Sequence, residues 1–218
     1  SMKATPVEGL EIKRAMIYFS SPEAILNFPE LLIRIFEESA RLNTPLGAEA
    51  RRLVKHFEHL VDESFRKSPK MRKIFEKIML ESSPSLKVLD DMLSTGFLVR
   101  FVPEYEGVLN RIQYDEYHLY PVDKHMLRTV AIIKKFGTSQ DPTNNPMCGN
   151  IYKELKDRKV LLWAGLLHDI GKAVPRKGHS ERGERMARAI MKGKGYSPQV
   201  VDTVGFLVKE HLSLVKTA

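Results

Sequence analysis

The sequence is poor in cysteine, in long apolar runs and in acidic charge. Cys148 is its one cysteine. No disulfide can form within the chain, and a reducing compartment, most simply the cytoplasm, is expected. No apolar stretch approaches the roughly 20 residues that a membrane helix needs, and the first residues lack the apolar segment of a secretion signal. There is no internal repeat and no low-complexity tract. Lys and Arg number 35 against 27 Asp and Glu, a net charge of +8 with a pI near 9.5. Such a surplus suits an anionic partner (a phosphate ester, a nucleotide or a nucleic acid) without choosing among them. Hydrophobic residues are plentiful, at 43% of 218, enough for one good core or two small ones. The opening Ser1-Met2 reads as a tag remnant, and Lys216-Thr217-Ala218 follows closely on a well-patterned helix. An excised fragment of a longer protein is therefore expected.

The patterning is helical almost throughout. Ser20-Ser21-Pro22-Glu23 combines a cap, an early proline and a first-turn acid. Apolar residues at helical spacing then mark 29–43 and 47–65. Ser68-Pro69 and Ser83-Pro84 open two further helices, the second closed by Gly96. Residues 97–120 are less regular and rich in aromatics, including Tyr114, Tyr117 and Tyr120. Helix is expected again over 122–136, loop over 137–149, and helix over 151–157, 160–170, 180–192 and 198–212. The natural division falls near residues 96–110: a helical linker segment over 1–100, then a domain over 101–218 carrying every interesting histidine. His56 and His59, three apart on a charged helix face, read as surface residues.

The most informative stretch is the apolar run Leu161 to Leu167, which leads directly into His168-Asp169-Ile170-Gly171-Lys172. A left-handed Gly171 would end the helix and leave His168 and Asp169 in its last turn. That end is partially negative and favours a cation, and imidazole with carboxylate suits a borderline divalent metal. A buried His-Asp hydrogen bond that merely closes the helix is the plainer alternative. His125 opens another helix, on a face shared with Thr129 and Ile132. His211 lies on the apolar stripe of Val200, Val204, Leu207 and Val208. Polar rings in such settings need partners, and a common metal is the economical one. His179, in Lys177-Gly178-His179-Ser180, reads alone as a surface residue. From Lys172 to Lys194 the chain holds six of its eight surplus positive charges. Such a helix is usually a solvated face, yet Lys172, Arg176 and Lys177 stand nearest to where a substrate phosphate would meet them.

The order His125, His168-Asp169, His179, His211 resembles the HD superfamily of metal-dependent phosphohydrolases, in which His-Asp-Ile-Gly-Lys is a frequent central motif. Two longer stretches, Arg100 to Glu106 and Gln113 to Val130, resemble one branch of it. These are the bifunctional uridylyltransferase/uridylyl-removing enzymes of the PII nitrogen-signalling protein. The likeness implies an all-α fold, an HD-domain helical bundle preceded by a smaller helical segment. It implies metal ligation by His125, His168 and Asp169, with His179 and His211 at the positions of a second metal and Asp169 bridging. It also implies a divalent ion, manganese or magnesium first, with iron, cobalt or zinc as alternatives. Asp169 and Lys172 are the implied catalytic residues, with Lys172, Arg176 and Lys177 facing the substrate phosphate.

The branch's transferase domain needs a Gly-Ser signature and an Asp-x-Asp pair, and this chain contains neither. The family's closing metal Asp should lie shortly beyond His211, yet no Asp follows Asp202. The expectation is a linker plus HD domain, cut short of that Asp and of the C-terminal sensing domains. The implied reaction is hydrolytic removal of UMP from a PII tyrosine, with uridylylated PII as partner. Alternatives are an HD phosphohydrolase of free nucleotides and a non-catalytic regulatory helical module. Binding to RNA is permitted by the charge, but no RNA-binding motif is present.

Overall fold

A computed structural model describes residues 7–81, 88–112 and 121–212. The helix start at Ser83-Pro84 and the aromatics Tyr114, Tyr117 and Tyr120 lie outside the described residues. The chain forms two compact units, Ser1–Pro103 and Glu104–Ala218. It is all-α in class apart from one small hairpin.

That hairpin pairs β1 (Leu10–Lys13) with β2 (Met16–Phe19) and was not legible in the sequence. A two-residue turn of this kind needs positive φ at both central positions and usually advertises itself through Asn-Gly or Asp-Gly. Here Arg14 (φ 49°) and Ala15 (φ 58°) adopt it, so no turn signal stands in the sequence.

Helices then follow in the first unit. α1 (Pro22–Asn27) is capped by Ser21, whose Oγ accepts from the Ala24 amide at 3.3 Å. α2 (Leu31–Leu42) buries Leu32, Ile33, Ile35 and Phe36 completely. The single helix expected over 47–65 is instead broken into α3 (Ala48–His56), a 3-10 turn at Glu58–Leu60 and α4 (Glu63–Lys67). The break has a local cause. Asp62 Oδ1 accepts from the Phe65 amide at 2.9 Å, so it starts a new helix rather than continuing the old one. α5 (Pro69–Glu81) packs on α2, and α6 (Val88–Ser94) ends at Gly96 with φ +83°, before α7 (Phe97–Phe101). Phe97 stacks on Phe101, and Phe36 and Phe75 lie against this pair at ring-centroid distances of 5.3 and 4.9 Å. His56 and His59 are exposed.

The second unit begins within a 3-10 segment, Pro103–Val108. It continues with α8 (Val122–Ile133), α9 (Pro146–Glu154), α10 (Arg158–Leu167), a 3-10 turn at Ile170–Ala173, α11 (His179–Gly193) and α12 (Pro198–Glu210). The loop expected over 137–149 gives way at Pro146, because Asn145 caps a helix there through Oδ1 and the Met147 amide. α10 packs against α8, α11 and α12, and α11 against α12. Two buried polar groups find partners in the core: Tyr105 donates to the Leu166 carbonyl at 2.9 Å, and Trp163 Nε1 to the Tyr196 hydroxyl at 2.7 Å. No described helix is long and apolar enough to cross a membrane.

Candidate metal centre

Two glycines let the helices approach closely enough to bring the histidines together. A Cβ at Gly165 on α10 would lie 2.7 Å from Ile133 Cδ1, so α8 and α10 meet closely there and a larger residue would require the Ile133 side chain to shift. Gly171 was expected to end α10 in a left-handed conformation, and it does not: it is absent from the positive-φ glycines. It is small for a different reason. A Cβ there would overlap the carbonyl oxygen of His179 and lie 2.6 Å from the Gly183 nitrogen. The 3-10 turn of Ile170–Ala173 thus lies directly against the start of α11.

His125, on the first turn of α8, and His168, capping α10, place their Nε2 atoms 3.0 Å apart. Asp169 Oδ2 lies 3.4 Å from His168 Nε2, 3.7 Å from His125 Nε2 and 3.0 Å from Lys172 Nζ. The other oxygen, Oδ1, lies 3.5 Å from His211 Nε2 and 3.9 Å from His179 Nε2. The five side chains fall into two triads sharing Asp169: His125, His168 and Asp169, and then Asp169, His179 and His211. His179 opens α11 behind Gly178 (φ +80°), and His211 caps α12. Arg176 and Lys177 stand apart from the cluster, and among the described residues neither forms an ion pair with Asp169.

Two of the rings are oriented from behind. His168 Nδ1 is 2.8 Å from the Gly165 carbonyl and His211 Nδ1 is 2.6 Å from the Val208 carbonyl. A carbonyl only accepts, so Nδ1 carries the proton and the Nε2 lone pair faces the cluster, the usual support for a metal-binding histidine. Asp169 is 2% exposed. Burial pushes its carboxyl up, but the His168 and His211 rings and the Lys172 ammonium outweigh that and hold it well below the ordinary range. For His179, burial is the largest influence and lowers its pKa, against the opposing pull of Asp169.

Among the described residues, three buried atoms at the centre have no hydrogen-bond partner: Asp169 Oδ1, His179 Nε2 and His211 Nε2. Leaving such groups unpaired is costly, and a cation between them relieves the cost. Nitrogen and carboxylate donors lying 3.0 to 3.7 Å apart in the first triad also fit one ion bound at roughly 2.0–2.2 Å from each. The residues present therefore fit a divalent metal.

Two hollows adjoin the cluster. One, of about 410 Å³, is lined by His125, His168, His211 and apolar residues such as Leu161 and Leu207. The other, of about 490 Å³, is lined by Lys172, Arg176, Lys177 and His179, and also by Arg111. Arg182 holds the wall of this second hollow, donating to the carbonyls of Gly171 (2.8 Å), Val174 (3.1 Å) and Arg176 (2.8 Å). The sequence reading counted Arg182 only as part of a basic helix and missed Arg111. Neither carries a motif signal, because each acts on backbone carbonyls, which any residue type supplies.

Residues 122–218 match the model of the HD domain family. That stretch is an HD domain. Residues 8–101 match the model named for the third domain of the uridylyltransferase GlnD. The bifunctional uridylyltransferase/uridylyl-removing enzyme of Ruegeria pomeroyi is 35% identical to this HD-domain chain over 205 residues, covering 94% of the chain and 22% of the relative. The enzyme of the same name from Methylococcus capsulatus is 32% identical over 167 residues, covering 77% and 19%. The chain thus spans about a fifth of the length of the curated relatives it matches.

Proposed function

We propose that this HD domain hydrolyses a phosphodiester, releasing UMP from a uridylylated tyrosine of the PII protein in the cytoplasm. The observation that carries the reading is the divided role of Asp169, whose two oxygens face different histidine sets beside a hollow lined with cations. The name of the relatives, uridylyl-removing enzyme, supports the uridylyl group as the one removed.

His125, His168 and Asp169 would hold one ion and His179 and His211 a second, with Asp169 shared; the phosphate substrate points to manganese or magnesium, while four imidazoles and one carboxylate suit manganese, iron, cobalt or zinc better than magnesium. A divalent ion here supplies Lewis acidity and lowers the pKa of water it binds. The chain's own residues do the rest. The carbonyls of Gly165 and Val208 keep His168 and His211 in the tautomer that presents Nε2. Lys172, 8% exposed and anchored on Asp169, holds its ammonium at the mouth of the basic hollow, where it offsets charge building on the phosphoryl oxygens. Arg176 and Lys177 draw the anionic substrate towards that mouth.

The test is release of UMP from uridylylated PII, with and without manganese. Metal-dependent release supports the proposal. Cleavage of free nucleotides alone would move the substrate assignment to small molecules. No metal-dependent cleavage of either would favour a regulatory helical module.

A further inference from the structure

Arg111 stands on the wall of the basic hollow although it lies outside the HD motif and fourteen positions before His125. Its backbone is fixed unusually well for a loop residue. Asn110 takes a left-handed conformation (φ 50°), and its amide donates to Asp123 Oδ2 at 3.2 Å. Asp123 is 2% exposed, sits in the first turn of α8 and accepts from its own neighbour Lys124 through Oδ1 at 2.8 Å. The Val122 amide donates to the Arg111 carbonyl at 2.9 Å. The segment before the site is therefore clamped to the same helix turn that carries His125.

The side chain is anchored as well. Arg111 Nη1 donates to the Ala173 carbonyl, one residue past Lys172, and lies 3.4 Å from the Gly107 carbonyl. Gly107 makes that approach possible, since a Cβ there would lie 2.6 Å from Ala173 Cβ. One nitrogen of the guanidinium is thus committed to backbone. Nε and Nη2 make no hydrogen bond among the described residues. The hollow that Arg111 lines presents three further cations, Lys172, Arg176 and Lys177, with His179, Ile112, Val174 and Pro175, and among the described residues no carboxylate lines it. A planar guanidinium on the wall of a cation-lined hollow, pinned at one corner and with two donors uncommitted among the described residues, suits the paired oxygens of a phosphoryl group.

We propose that Arg111 is a phosphoryl-binding residue of this site, taking two non-bridging oxygens of the substrate phosphate and of the phosphomonoester product. The inference rests on the hydrolytic reading above for its substrate. It can be tested without hydrolysis, because inorganic phosphate and UMP are themselves phosphoryl ligands.

Binding of inorganic phosphate and of UMP to the manganese-loaded protein is measured by calorimetry for wild type, Arg111→Gln and Arg111→Lys. Manganese affinity and the thermal midpoint are read in parallel. Loss of a charge-assisted hydrogen-bond pair predicts a roughly 10- to 100-fold weaker phosphate affinity in Arg111→Gln. Arg111→Lys recovers part of it, and manganese affinity stays within about twofold, since Arg111 is not one of the clustered donors. Phosphate affinity equal to wild type in Arg111→Gln overturns the inference. So does a fall in phosphate affinity matched by an equal fall in manganese affinity. If the wild-type protein binds phosphate through Arg111 yet releases no UMP from uridylylated PII, the hydrolytic reading fails and this inference stands. If Arg111→Gln releases UMP with wild-type KM and binds phosphate normally, the reverse holds.

Discussion

Lys172 Nζ lies 3.0 Å from Asp169 Oδ2, and the two side chains are among the least exposed charged groups of the described residues. The same oxygen faces His125 and His168. The lysine therefore shares one carboxylate oxygen with the proposed metal site and also lines the basic hollow. This sharing separates two roles that a single substitution can distinguish.

Lys172→Met keeps the length and removes the charge. Its effect should fall on turnover, with kcat lowered about 10²–10³-fold, the scale seen when one donor to a developing oxyanion is lost. Manganese binding should survive, because the donors of both triads remain. Steady-state kinetics beside a manganese titration check this, and loss of metal binding in the variant would count against the assignment of Lys172 to the phosphate.

Gly171→Ala should damage the centre by crowding alone. The added methyl overlaps the His179 carbonyl, and this is a backbone neighbour that cannot swing aside. Overpacking of this kind costs roughly 1–3 kcal/mol. The thermal midpoint should fall, and manganese affinity should fall with it, because α11 carries His179. A variant with an unchanged midpoint and unchanged affinity would show that the contact at Gly171 is slack.

The metal-free protein should gain stability as pH rises towards neutrality. Burial lowers the His179 pKa below 6.5, so between that lowered value and 6.5 the unfolded chain binds more protons than the folded one. Stability therefore rises with pH across this window, levels above 6.5 and is lost as pH falls through the folded value. Denaturant midpoints measured across the window, with His179→Gln as control, check the sign. The variant should show a shallower dependence.

The all-α class and the side chains that cluster at the centre were legible in the sequence, while several finer elements were not. His168-Asp169 follows an apolar run that reads directly as a buried helix, and His211 sits on a stripe whose burial marks it as a polar intruder. His179 was illegible by itself, since a histidine after Lys-Gly looks solvated. Its position depends on Gly171 and Gly183 allowing two backbones to meet, a relationship between distant residues. The hairpin at Leu10–Phe19 escaped notice because Arg14 and Ala15 make its turn without the usual residues. The break in 47–65 turned on Asp62 capping a new helix, where apolar spacing alone runs on unbroken. Arg111 escaped altogether: its partners are the carbonyls of Gly107 and Ala173, which have no signature along the chain.

The central claim is that Asp169 joins two sets of histidines around divalent metal. The most direct test is a calorimetric titration of the metal-free protein with manganese, beside Asp169→Asn. The substitution keeps the volume and removes the charge shared by both triads. Saturable binding in the wild type, weakened at least roughly 100-fold in the variant, is predicted, since outer partners of a ligand alone carry 10- to 100-fold. Equal manganese affinity in the two proteins would contradict the claim.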